Sequence, residues 1–565
     1  MTTIGIDLGT TNSLVAYWTE EGPVMIPNAL GSTLTPSVVS VDDNNEILIG
    51  EIAKERLITH PHMTAAIFKR AMGTEKIFQL GKFTFTPQEL SSFIIKALKE
   101  DAEVFLGHGV TEAVISVPAY FNDSQRKATK QAAELAGLKV ERLISEPTAA
   151  AIAYGLHQKE LETQFLVFDL GGGTFDVSIL ELFEGVMEVK SIAGDNFLGG
   201  EDFTDVLASY FIESQNIDIN QLDAKARSLI NKQAEQCKLA LGQSQSASMT
   251  TVLNGQTYEV KLDRMDFEKI CYPLLLRLRK PIERALNDAS LSTDELDSVI
   301  LIGGATRMPV IKSVISKMFG KFPYSHINPD EAVAMGAAIQ VALKERNEAL
   351  KEMVLTDVCP YSLGIDLTKN LGGDNYESGY FDPIIERNTP IPVSKVERYC
   401  TIRDNQTTVR FQVYQGESRR VENNIKLGEI SISVPAAPAG QPIDVRYTYD
   451  INGILEVEIV VINTGSNTRA IIEKNPGTMT AEEIDLRFQA LKDLKIHPRE
   501  RTENRLLLAR GERLYEESIG EKRHQISRLM EAFEAMLLTQ NNKEVKKAAE
   551  KLKSELDFLE RWRDF

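Results

Sequence analysis

The sequence lacks the features that mark metal-binding, membrane-spanning and nucleic-acid-binding proteins. Its four cysteines, Cys237, Cys271, Cys359 and Cys400, show no close spacing that suggests a metal site, so we expect buried, reduced thiols in a reducing compartment. No uncharged apolar run is long enough to cross a bilayer. No charged start with an apolar core precedes Ile4, so we expect no secretory signal. The net charge of -18 argues against a dedicated nucleic-acid binder. These absences predict a cytoplasmic protein.

What the sequence has is a run of glycines between two apolar segments. Residues 165–177 read Phe-Leu-Val-Phe-Asp-Leu-Gly-Gly-Gly-Thr-Phe-Asp-Val, which predicts two strands joined by a tight turn. Three consecutive glycines let another atom approach the backbone closely, and their exposed N–H groups form an anion site. Asp169 and Asp176 flank the turn, and a divalent cation beside phosphates would neutralise both carboxylates. An ordinary glycine-rich hairpin explains this segment equally well on its own.

A second copy of the pattern favours the phosphate-binding interpretation. Residues 4–15 read Ile-Gly-Ile-Asp-Leu-Gly-Thr-Thr-Asn-Ser-Leu-Val, and a third apolar run, residues 299–302, ends in Gly303-Gly304. Neither hairpin is a Walker loop, because the Gly-Lys-Ser/Thr ending is absent. A repeat at such long separation suggests two related lobes that present their hairpins to a shared cleft. The three turns together predict nucleotide binding between two α/β lobes.

Five longer motifs carry a family resemblance. They are Asp7-Leu-Gly-Thr-Thr-Asn-Ser, Val117-Pro-Ala-Tyr-Phe, Glu146-Pro-Thr-Ala-Ala-Ala, Asp169-Leu-Gly-Gly-Gly-Thr-Phe-Asp and Gly303-Gly-Ala-Thr-Arg-Met-Pro. In this order they resemble the motifs of the seventy-kilodalton heat-shock chaperones, the DnaK-like family, and the chain looks closest to the shorter bacterial HscC branch. The resemblance implies an α/β actin-like two-lobed ATPase domain, then a β-sandwich peptide-binding domain and a short α-helical lid. It also implies ATP or ADP and Mg²⁺ as ligands, with K⁺ as a further candidate ion.

A chain of 565 residues is longer than one core normally serves, and three or so domains are expected. With the resemblance, the predicted domains are residues 1–351 for the nucleotide-binding domain, 352–358 for the linker, 359–473 for the β-sandwich and 474–565 for a truncated helical lid. The linker is short, apolar and acidic at its end, unlike a flexible Gly/Ser tether. By resemblance it docks on the ATPase domain with ATP bound and is released with ADP.

The resemblance assigns the chemistry of hydrolysis to residues of both hairpins and of the segments between them. The predicted catalytic residues are Lys69, Glu146, Asp169, Thr174 and Asp176. Asp7 and Asp169 would hold Mg²⁺ through water, while the hairpin amides and the hydroxyls of Thr10, Thr11 and Thr174 would stabilise the phosphate charge. Lys69, Glu146 and Asp176 would position the attacking water. Composition alone would instead make Lys69 a solvated surface lysine in a helical-looking segment, residues 65–73, and Glu146 an ordinary helix-start residue.

The remaining nucleotide contacts are also implied by resemblance. Glu235 and Lys238 are three residues apart, so they share a helix face and resemble the family's adenosine clamp, although a surface ion pair is the plainer interpretation. Arg307 would stack on the adenine from the opposite side. The complete predicted ATP-binding set is Asp7, Gly9, Thr10, Thr11, Asn12, Gly171, Gly172, Gly173, Gly199, Gly200, Glu201, Glu235, Lys238, Gly242, Gly303, Gly304, Arg307 and Asp330.

A switch and two partner sites follow from the resemblance. Pro118 would sense the nucleotide and relay its state through Arg126 to the linker residues Leu355 and Asp357, whereas a plain strand stop and a surface arginine are the alternative. Asp357 and Arg142 match positions that engage a J-domain co-chaperone. Residues 244–263 are abbreviated where longer relatives contact their exchange factor, which argues against dependence on such a factor.

Residues 359–473 alternate apolar and polar side chains in the manner of strands. Asn452-Gly453 predicts a two-residue hairpin turn before Leu455. The resemblance implies that this β-sandwich binds extended apolar peptide segments of client proteins through main-chain hydrogen bonds and one apolar pocket. The predicted peptide-binding residues are Ile365, Thr368, Tyr399, Ile402, Val409 and Phe411. Alternation alone would place Val409 and Phe411 in the core.

The C-terminal region predicts helices. Thr480-Ala-Glu-Glu is a capping box, Pro498 breaks the helix that follows, and Gly511, Gly520 and Asn541-Asn542 punctuate the rest. Leu552, Leu556 and Leu559 form a stripe, which indicates packing in a small bundle.

The sequence therefore predicts an ATP-dependent chaperone with slow intrinsic ATP hydrolysis, coupled allosterically to peptide binding and stimulated by a J-domain protein. A sugar or acetate kinase shares the two-hairpin ATPase but has no use for the β-sandwich. A nucleotide-binding scaffold or exchange factor that barely hydrolyses ATP is a third possibility, and the intact set of acidic and lysine residues argues against it.

Overall fold

The computed structural model describes residues 2–155, 162–183, 186–253, 255–324, 328–344, 354–370, 376–451, 453–472, 498–518 and 520–561. Contacts divide the chain into two units. The first contains Met1–Tyr361 and Arg387–Pro390, and the second contains Ser362–Glu386 and Ile391–Phe565. Within the described ranges, no helix combines the length and the apolarity needed to cross a membrane.

The first unit contains two mixed sheets, each carrying one of the predicted glycine hairpins. The strands of the first sheet are, in order across it, Lys139–Ser145, Val110–Val117, Thr2–Asp7, Asn12–Thr19 and Gly22–Met25, with Thr35–Pro36 beside Asn12–Thr19. Those of the second sheet begin with Ser298–Ile302, Glu162–Leu170, Phe175–Phe183, Val186–Asp195 and Val354–Val358. In each sheet the hairpin strands pair antiparallel, and Asp169 lies directly opposite Asp176 beside the turn.

Smaller sheets and helices cover these two. The smaller sheets are Ile47–Ile49 with Val39–Val41 and Thr64–Ala65, Phe78–Leu80 with Phe83–Phe85, and Ser246–Leu253 with Gln256–Asp263. The helices are Glu51–Thr59, Pro87–Leu106, Asp123–Leu135, Glu146–Gly155, Gly200–Ser214, Ala224–Gln243, Arg264–Ala289, Pro309–Phe319 and Ala332–Lys344. The helix Asp123–Leu135 begins with a side-chain cap, in which Asn122 accepts from the Gln125 N–H at 3.0 Å.

Two alanine-rich helices, Glu146–Gly155 and Ala332–Lys344, pack against each other with residues of both large sheets in one apolar cluster. Their backbones approach so closely that a Cβ on Gly336 would lie 1.8 Å from the Ala149 carbonyl oxygen. Small side chains allow this approach, and the buried faces of both helices consist largely of alanine. The two sheets are therefore joined by a tightly packed pair of helices.

The described part of the predicted linker is a strand of the second sheet. Residues 354–358 run parallel to Val186–Asp195, with Val354 opposite Val186 and Thr356 opposite Glu188. Residues 352 and 353, and the Leu355 side chain, lie outside what the structure describes. Pairing with an edge strand satisfies backbone N–H and C=O groups of the linker.

The second unit contains two four-stranded antiparallel sheets. One has the order Tyr376–Ile385, Leu363–Asn370, Thr408–Gln415 and Ile425–Ser433, and the other Val393–Cys400, Pro442–Tyr449, Leu455–Val461 and Ser466–Ile471. Aromatic side chains connect the two sheets. The Tyr447 hydroxyl donates to the Gly364 carbonyl at 3.0 Å, and the rings of Tyr399 and Phe411 lie 6.1 Å apart.

Three helices of the second unit, Thr502–Glu517, Gly520–Leu538 and Asn542–Arg561, form a bundle. Leu552, Leu556 and Leu559 are buried in it, which confirms the predicted stripe. The predicted helix starts near Gly520 and Asn542 are also confirmed. The predicted capping box at residues 480–483 lies outside the described residues.

Four local predictions are wrong. Residues 65–73 are not a helix: Ile67 takes a left-handed φ of 60° and only one 3₁₀ turn, Phe68–Ala71, follows. Gly511 does not interrupt its helix. It packs against Met530 so closely that a Cβ on Gly511 would lie 2.0 Å from Met530 Sδ. Cys400 is exposed. The turn after Tyr449 is longer than two residues, since Asp450 donates its N–H to the Ile454 carbonyl at 3.1 Å.

Candidate functional site

One cavity of about 620 Å³ in the first unit is lined by residues of both glycine hairpins. The predicted nucleotide-site residues that line it are Asp7, Gly9, Thr10, Thr11, Asn12, Lys69, Glu146, Asp169, Gly171, Gly172, Thr174, Gly200, Glu201, Glu235, Lys238, Gly242, Gly303, Gly304, Arg307 and Asp330. Three predicted residues, Gly173, Gly199 and Asp176, are not among the residues that line it. The residues that line the cavity but were not predicted from the sequence are Leu14, Leu34, Leu239, Gln243, Ile302, Ala305, Met308, Lys312, Pro329 and Val333.

The tips of the two hairpins touch. A Cβ on Gly172 would lie 1.6 Å from Thr11 Oγ1, and one on Gly173 would lie 2.5 Å from Thr10 Cγ2. A larger residue at either of these two positions would therefore collide with the first turn. The glycines are required by the opposing hairpin, and the N–H groups of both turns reach one space.

Four carboxylates, those of Asp7, Glu146, Asp169 and Asp176, lie at or beside the cavity. Burial, with repulsion from Glu146, raises the pKa of Asp7 to about 7 and that of Asp176 to about 7. Burial also raises the pKa of Asp169 well above its usual range, and repulsion from Glu146, Asp176 and Asp7 adds to the effect. Like charges in a desolvated site disfavour ionisation, so a cation in the cavity would stabilise the ionised cluster.

Two of these carboxylates have one oxygen that accepts no hydrogen bond from the described residues. Among the described residues, no group donates to Asp169 Oδ2 or Asp176 Oδ2, although both atoms are buried. Buried carboxylate oxygens of this kind fit a hard cation such as Mg²⁺, which binds oxygen ligands and keeps several of its waters.

Lys69 is the cation of the cluster. Its Nζ lies 2.7 Å from Glu146 Oε1, and only 3% of the residue is exposed. The interpretation of Lys69 as a solvated surface lysine is therefore wrong. Ile67, in the left-handed conformation, directly precedes the 3₁₀ turn Phe68–Ala71 that contains Lys69. A buried ion pair in the cavity wall can hold a hydrogen-bonding group in a fixed position.

The buried Lys238 and the partly exposed Glu235 form a network with the start of a neighbouring helix. Lys238 Nζ lies 2.5 Å from Glu235 Oε2 and donates to the Gly200 carbonyl at 2.9 Å and to Thr204 Oγ1 at 2.8 Å. The pair is thus more than a surface ion pair. Burial raises the pKa of the adjacent Glu201 carboxyl to about 7.

Arg307 lies at the rim of the cavity with a half-exposed side chain. Its guanidinium bonds to Asp330 Oδ2 at 2.6 Å and to Asn328 Oδ1 at 2.7 Å. These contacts fix the plane of the guanidinium group, which is the geometry needed to stack on an aromatic base.

The loop after Pro118 lies against Asp176. Asp176 Oδ1 accepts the Tyr120 N–H at 3.2 Å. Arg126 donates to the Phe121 carbonyl at 3.2 Å and to the Ala119 carbonyl at 3.3 Å, so it is not a free surface arginine.

The same arginine faces the linker. Burial raises the pKa of Asp357, while the charges of Arg126 and Arg142 lower it. The predicted switch residues Pro118, Arg126 and Asp357 are therefore neighbours in the first unit.

The predicted peptide-binding residues are divided between core and surface. Ile365 and Phe411 are buried, whereas Thr368, Tyr399, Ile402 and Val409 are partly exposed. The Tyr399 hydroxyl donates to Asp382 Oδ2 at 2.8 Å. The structure brings Tyr399 and Phe411 together through their rings, and the core interpretation of Phe411 holds.

Sequence reasoning missed several residues that support the site. Arg70 donates to the Gly173 carbonyl at 2.9 Å and pairs with Asp202 at 2.5 Å, so it connects the 3₁₀ turn Phe68–Ala71 to the second hairpin and to the helix Gly200–Ser214. Ser116 donates to Asp7 Oδ1 at 2.7 Å, and Ser37 donates to the Gly9 carbonyl at 2.9 Å. The position of Arg70 next to Lys69 was the one available signal, since hydroxyl partners such as Ser116 leave no local pattern.

The comparisons with known proteins agree with one another. The chain matches the family described as Hsp70 protein over residues 3–79 and 75–562. It is 44% identical over 485 residues to chaperone protein DnaK of Thermotoga petrophila, covering 83% of this chain and 80% of that protein. It is 43% identical over 484 residues to chaperone protein DnaK of Thermosipho africanus, covering 83% of this chain and 79% of that protein. The closer likeness to the HscC branch stays a prediction.

Proposed function

The chain belongs to the Hsp70 family, and from that premise we propose that it is an ATP-hydrolysing chaperone that binds and releases extended apolar segments of client proteins. The observation that carries this proposal is the pair of glycine hairpins that meet over one cavity lined with carboxylates and with the buried ion pair of Lys69 and Glu146. The actin-like two-lobed fold of the ATPase domain, with a β-sandwich and a truncated lid, is part of the same proposal.

The chemistry we propose is phosphoryl transfer to water. The turn amides and the hydroxyls of Thr10, Thr11 and Thr174 would bind the phosphates, and Lys69 and Glu146 would orient the attacking water. Asp176, which does not line the cavity, would complete the set. No single residue has to act as the base, because positioning and charge stabilisation supply most of the catalysis in this reaction.

Mg²⁺ would be held through its water ligands by Asp7 and Asp169, and it would supply charge neutralisation at the β- and γ-phosphates. The spare oxygen of Asp169 supports this role. K⁺ is a further candidate for the same cavity. At the other end, Glu235, Lys238 and Gly242 would bind the adenosine, with Arg307 and Asp330 on the opposite rim.

We propose that the linker couples the nucleotide to the client. Its pairing with Val186–Asp195, and the proximity of Asp357 to Arg126 and Arg142, support docking in one nucleotide state and release in the other. An apolar segment that leaves an edge strand must bury its side chains elsewhere, which gives the switch its free-energy difference. Arg142 and Asp357 are also the proposed J-domain site.

Client peptides would bind the β-sandwich by main-chain hydrogen bonds and by the side chains of Thr368, Tyr399, Ile402 and Val409, with Ile365 and Phe411 beneath them. Dependence on an exchange factor is not part of the proposal, because the residue 246–263 hairpin is short.

The decisive test is the Lys69→Ala variant in single-turnover hydrolysis. We expect ATP binding, measured by calorimetry, to change little, because the turn amides remain, while hydrolysis is lost. Lys96→Ala is the matched control, since Lys96 lies on a helix with 61% of its side chain exposed. Normal turnover in Lys69→Ala would refute the catalytic assignment.

A second measurement tests the chaperone half of the proposal. Peptide affinity should fall when ATP replaces ADP, with a coupling free energy of about 1–3 kcal/mol. A chain that hydrolyses ATP but binds an apolar peptide equally in both states would be an ATPase without the proposed coupling.

A further inference from the structure

One tyrosine side chain connects the end of the linker to the loop that contacts Asp176. Tyr361 follows the linker strand Val354–Val358 by three residues and is the last residue of the first unit's main segment. Its hydroxyl donates to the Tyr120 carbonyl at 2.8 Å, and its ring lies 4.5 Å from the Tyr120 ring. Burial raises the pKa of this phenol well above its usual range, so it is a permanent hydrogen-bond donor.

Tyr120 is held at three points. Its carbonyl accepts a second hydrogen bond, from Asn196 Nδ2 at 2.9 Å, and its hydroxyl accepts one from Arg284 at 2.8 Å. The Arg284 guanidinium also lies 5.8 Å from the ring centroid. Such a network leaves the residue little freedom to shift while all of its members are in place.

The backbone so held is the one that contacts the catalytic region. Asp176 accepts the Tyr120 N–H at 3.2 Å, and the neighbouring Ala119 backbone lowers the pKa of the same carboxyl, against the rise that burial causes. A change in the position of Tyr120 would therefore change the direction of the Asp176 side chain. Asp176 Oδ2 faces no donor among the described residues, so its direction decides where it can hold a water.

We propose that Tyr361 is a positioning residue for ATP hydrolysis. Its hydroxyl and ring hold the backbone of Tyr120, and the Tyr120 N–H in turn fixes the direction of the Asp176 carboxylate. The inference rests on the proposed function, since it assigns a new residue to the ATPase reaction. This route differs from the charge interaction between Arg126 and Asp357. Tyr361 bonds directly to the backbone of Tyr120 through a neutral hydroxyl, so removing a charge from the linker would leave this hydrogen bond in place.

A packing role for Tyr361 is the alternative, and the two roles make different kinetic predictions. A residue that only fills space would alter stability without a specific effect on turnover. A positioning residue lowers the rate of the chemical step and leaves ATP affinity unchanged, because Tyr361 is not among the residues that line the cavity.

The test uses the full chain with the Tyr361→Phe substitution, which keeps the ring and removes the hydroxyl. We expect the single-turnover rate to fall about three- to tenfold, the loss that corresponds to one buried hydrogen bond, while the Kd for ATP stays within about twofold. The matched control is Tyr447→Phe, which also removes a buried tyrosine hydroxyl from a backbone carbonyl. It should lower the unfolding midpoint and leave the hydrolysis rate unchanged.

A double-mutant cycle shows whether the effect passes through Asp176. In the Asp176→Ala background, Tyr361→Phe should have no further effect on the residual rate, because the group being positioned is gone. Asn196→Ala, which removes the other donor to the same carbonyl, should behave in the same way and provides a second variant if Tyr361→Phe does not fold.

A Tyr361→Phe rate equal to that of the natural chain, or a reduction of the same size in both backgrounds, would overturn the inference. If the natural chain does not hydrolyse ATP at all, the proposed function itself fails, and the two failures are thereby distinguished.

Discussion

Gly199 offers the sharpest steric test of the nucleotide cavity. Its φ of -168° and ψ of -173° are extended, a conformation that any residue adopts, so an alanine there would meet no backbone strain. The difficulty is contact. A Cβ would lie 2.5 Å from the Gly172 carbonyl oxygen and 2.5 Å from the Gly173 nitrogen. Both atoms belong to the backbone of the glycine hairpin, so no side chain can rotate away.

The magnitude follows from what must move. To reach an ordinary contact distance, the start of helix Gly200–Ser214 has to retreat from the hairpin by about 1 Å. Two hydrogen bonds of 2.9 Å, from the Gly200 N–H to the Gly171 carbonyl and from the Glu201 N–H to the Gly172 carbonyl, would break. At about 1 kcal/mol each, with added strain, we expect Gly199→Ala to lower the free energy of unfolding by about 2–4 kcal/mol.

The same displacement widens the cavity, so ATP affinity should fall at least about 30-fold, the factor that corresponds to about 2 kcal/mol. Calorimetric titration gives the Kd, and urea denaturation gives the free energy of unfolding. Gly109→Ala is the control, because the nearest atom to its added Cβ is 3.9 Å away and its φ is not positive. If Gly199→Ala binds ATP within twofold and unfolds at the natural midpoint, the helix start is not held against the hairpin and the reasoning is wrong.

Two further predictions concern the thiols and the contacts of Arg70. A disulfide reagent at pH 8 should label one thiol of the native chain quickly, that of the exposed Cys400. The buried thiols should react slowly, because burial raises the pKa of Cys237 to about 11 and that of Cys271 to about 12. Rapid labelling of more than one equivalent without denaturant would contradict this prediction. Arg70→Ala should speed the dissociation of a fluorescent ATP analogue about tenfold in stopped flow, because the bonds to the Gly173 carbonyl and Asp202 are lost. An unchanged dissociation rate would show that this bridge does not hold the cavity closed.

The sequence was informative where the signal is local. The hairpin at residues 169–176 could be predicted because a strand, a glycine turn and a strand are all encoded within a short segment. The cap at Asn122 is encoded in the same way, by a side chain and the residue three positions later. The meeting of the two hairpins was predicted from their repetition, which is information at long range.

Partners distant in the sequence carry no such signal. Lys69 pairs with Glu146, 77 residues away, and composition around Lys69 suggests only a surface lysine. Only the family resemblance corrected that expectation. Tyr361 and Tyr120 are 241 residues apart, and neither neighbourhood indicates that their side chains meet.

The errors have a common cause in tertiary context. Glycine is usually a helix breaker, yet Gly511 lies within a helix because Met530 of the next helix occupies the space beside it. Cys400 was expected to be buried because most free cysteines are. It ends the strand Val393–Cys400, and several of the strand's last residues are exposed. In both cases the position of the residue in the fold overrides a sound residue preference.

The strand Val186–Asp195 shows how linker and cavity can be coupled without a long chain of side chains. Its first residues pair with the linker, through Val186 and Glu188. Near its other end, Gly194 lies so close to Asp176 that a Cβ would be 2.6 Å from the Asp176 carboxylate oxygen. At about 3.3 Å per residue, roughly 20 Å of one paired strand separates the two contacts. Val186–Asp195 pairs with Phe175–Phe183 over its length, apart from a bulge at Lys190, and with the linker only at residues 186–188. A displacement at the carboxylate end would therefore reach the linker along this one strand and its pairing with Phe175–Phe183. Coupling by this route requires the pairing of the linker with the strand, whatever the linker's side chains are.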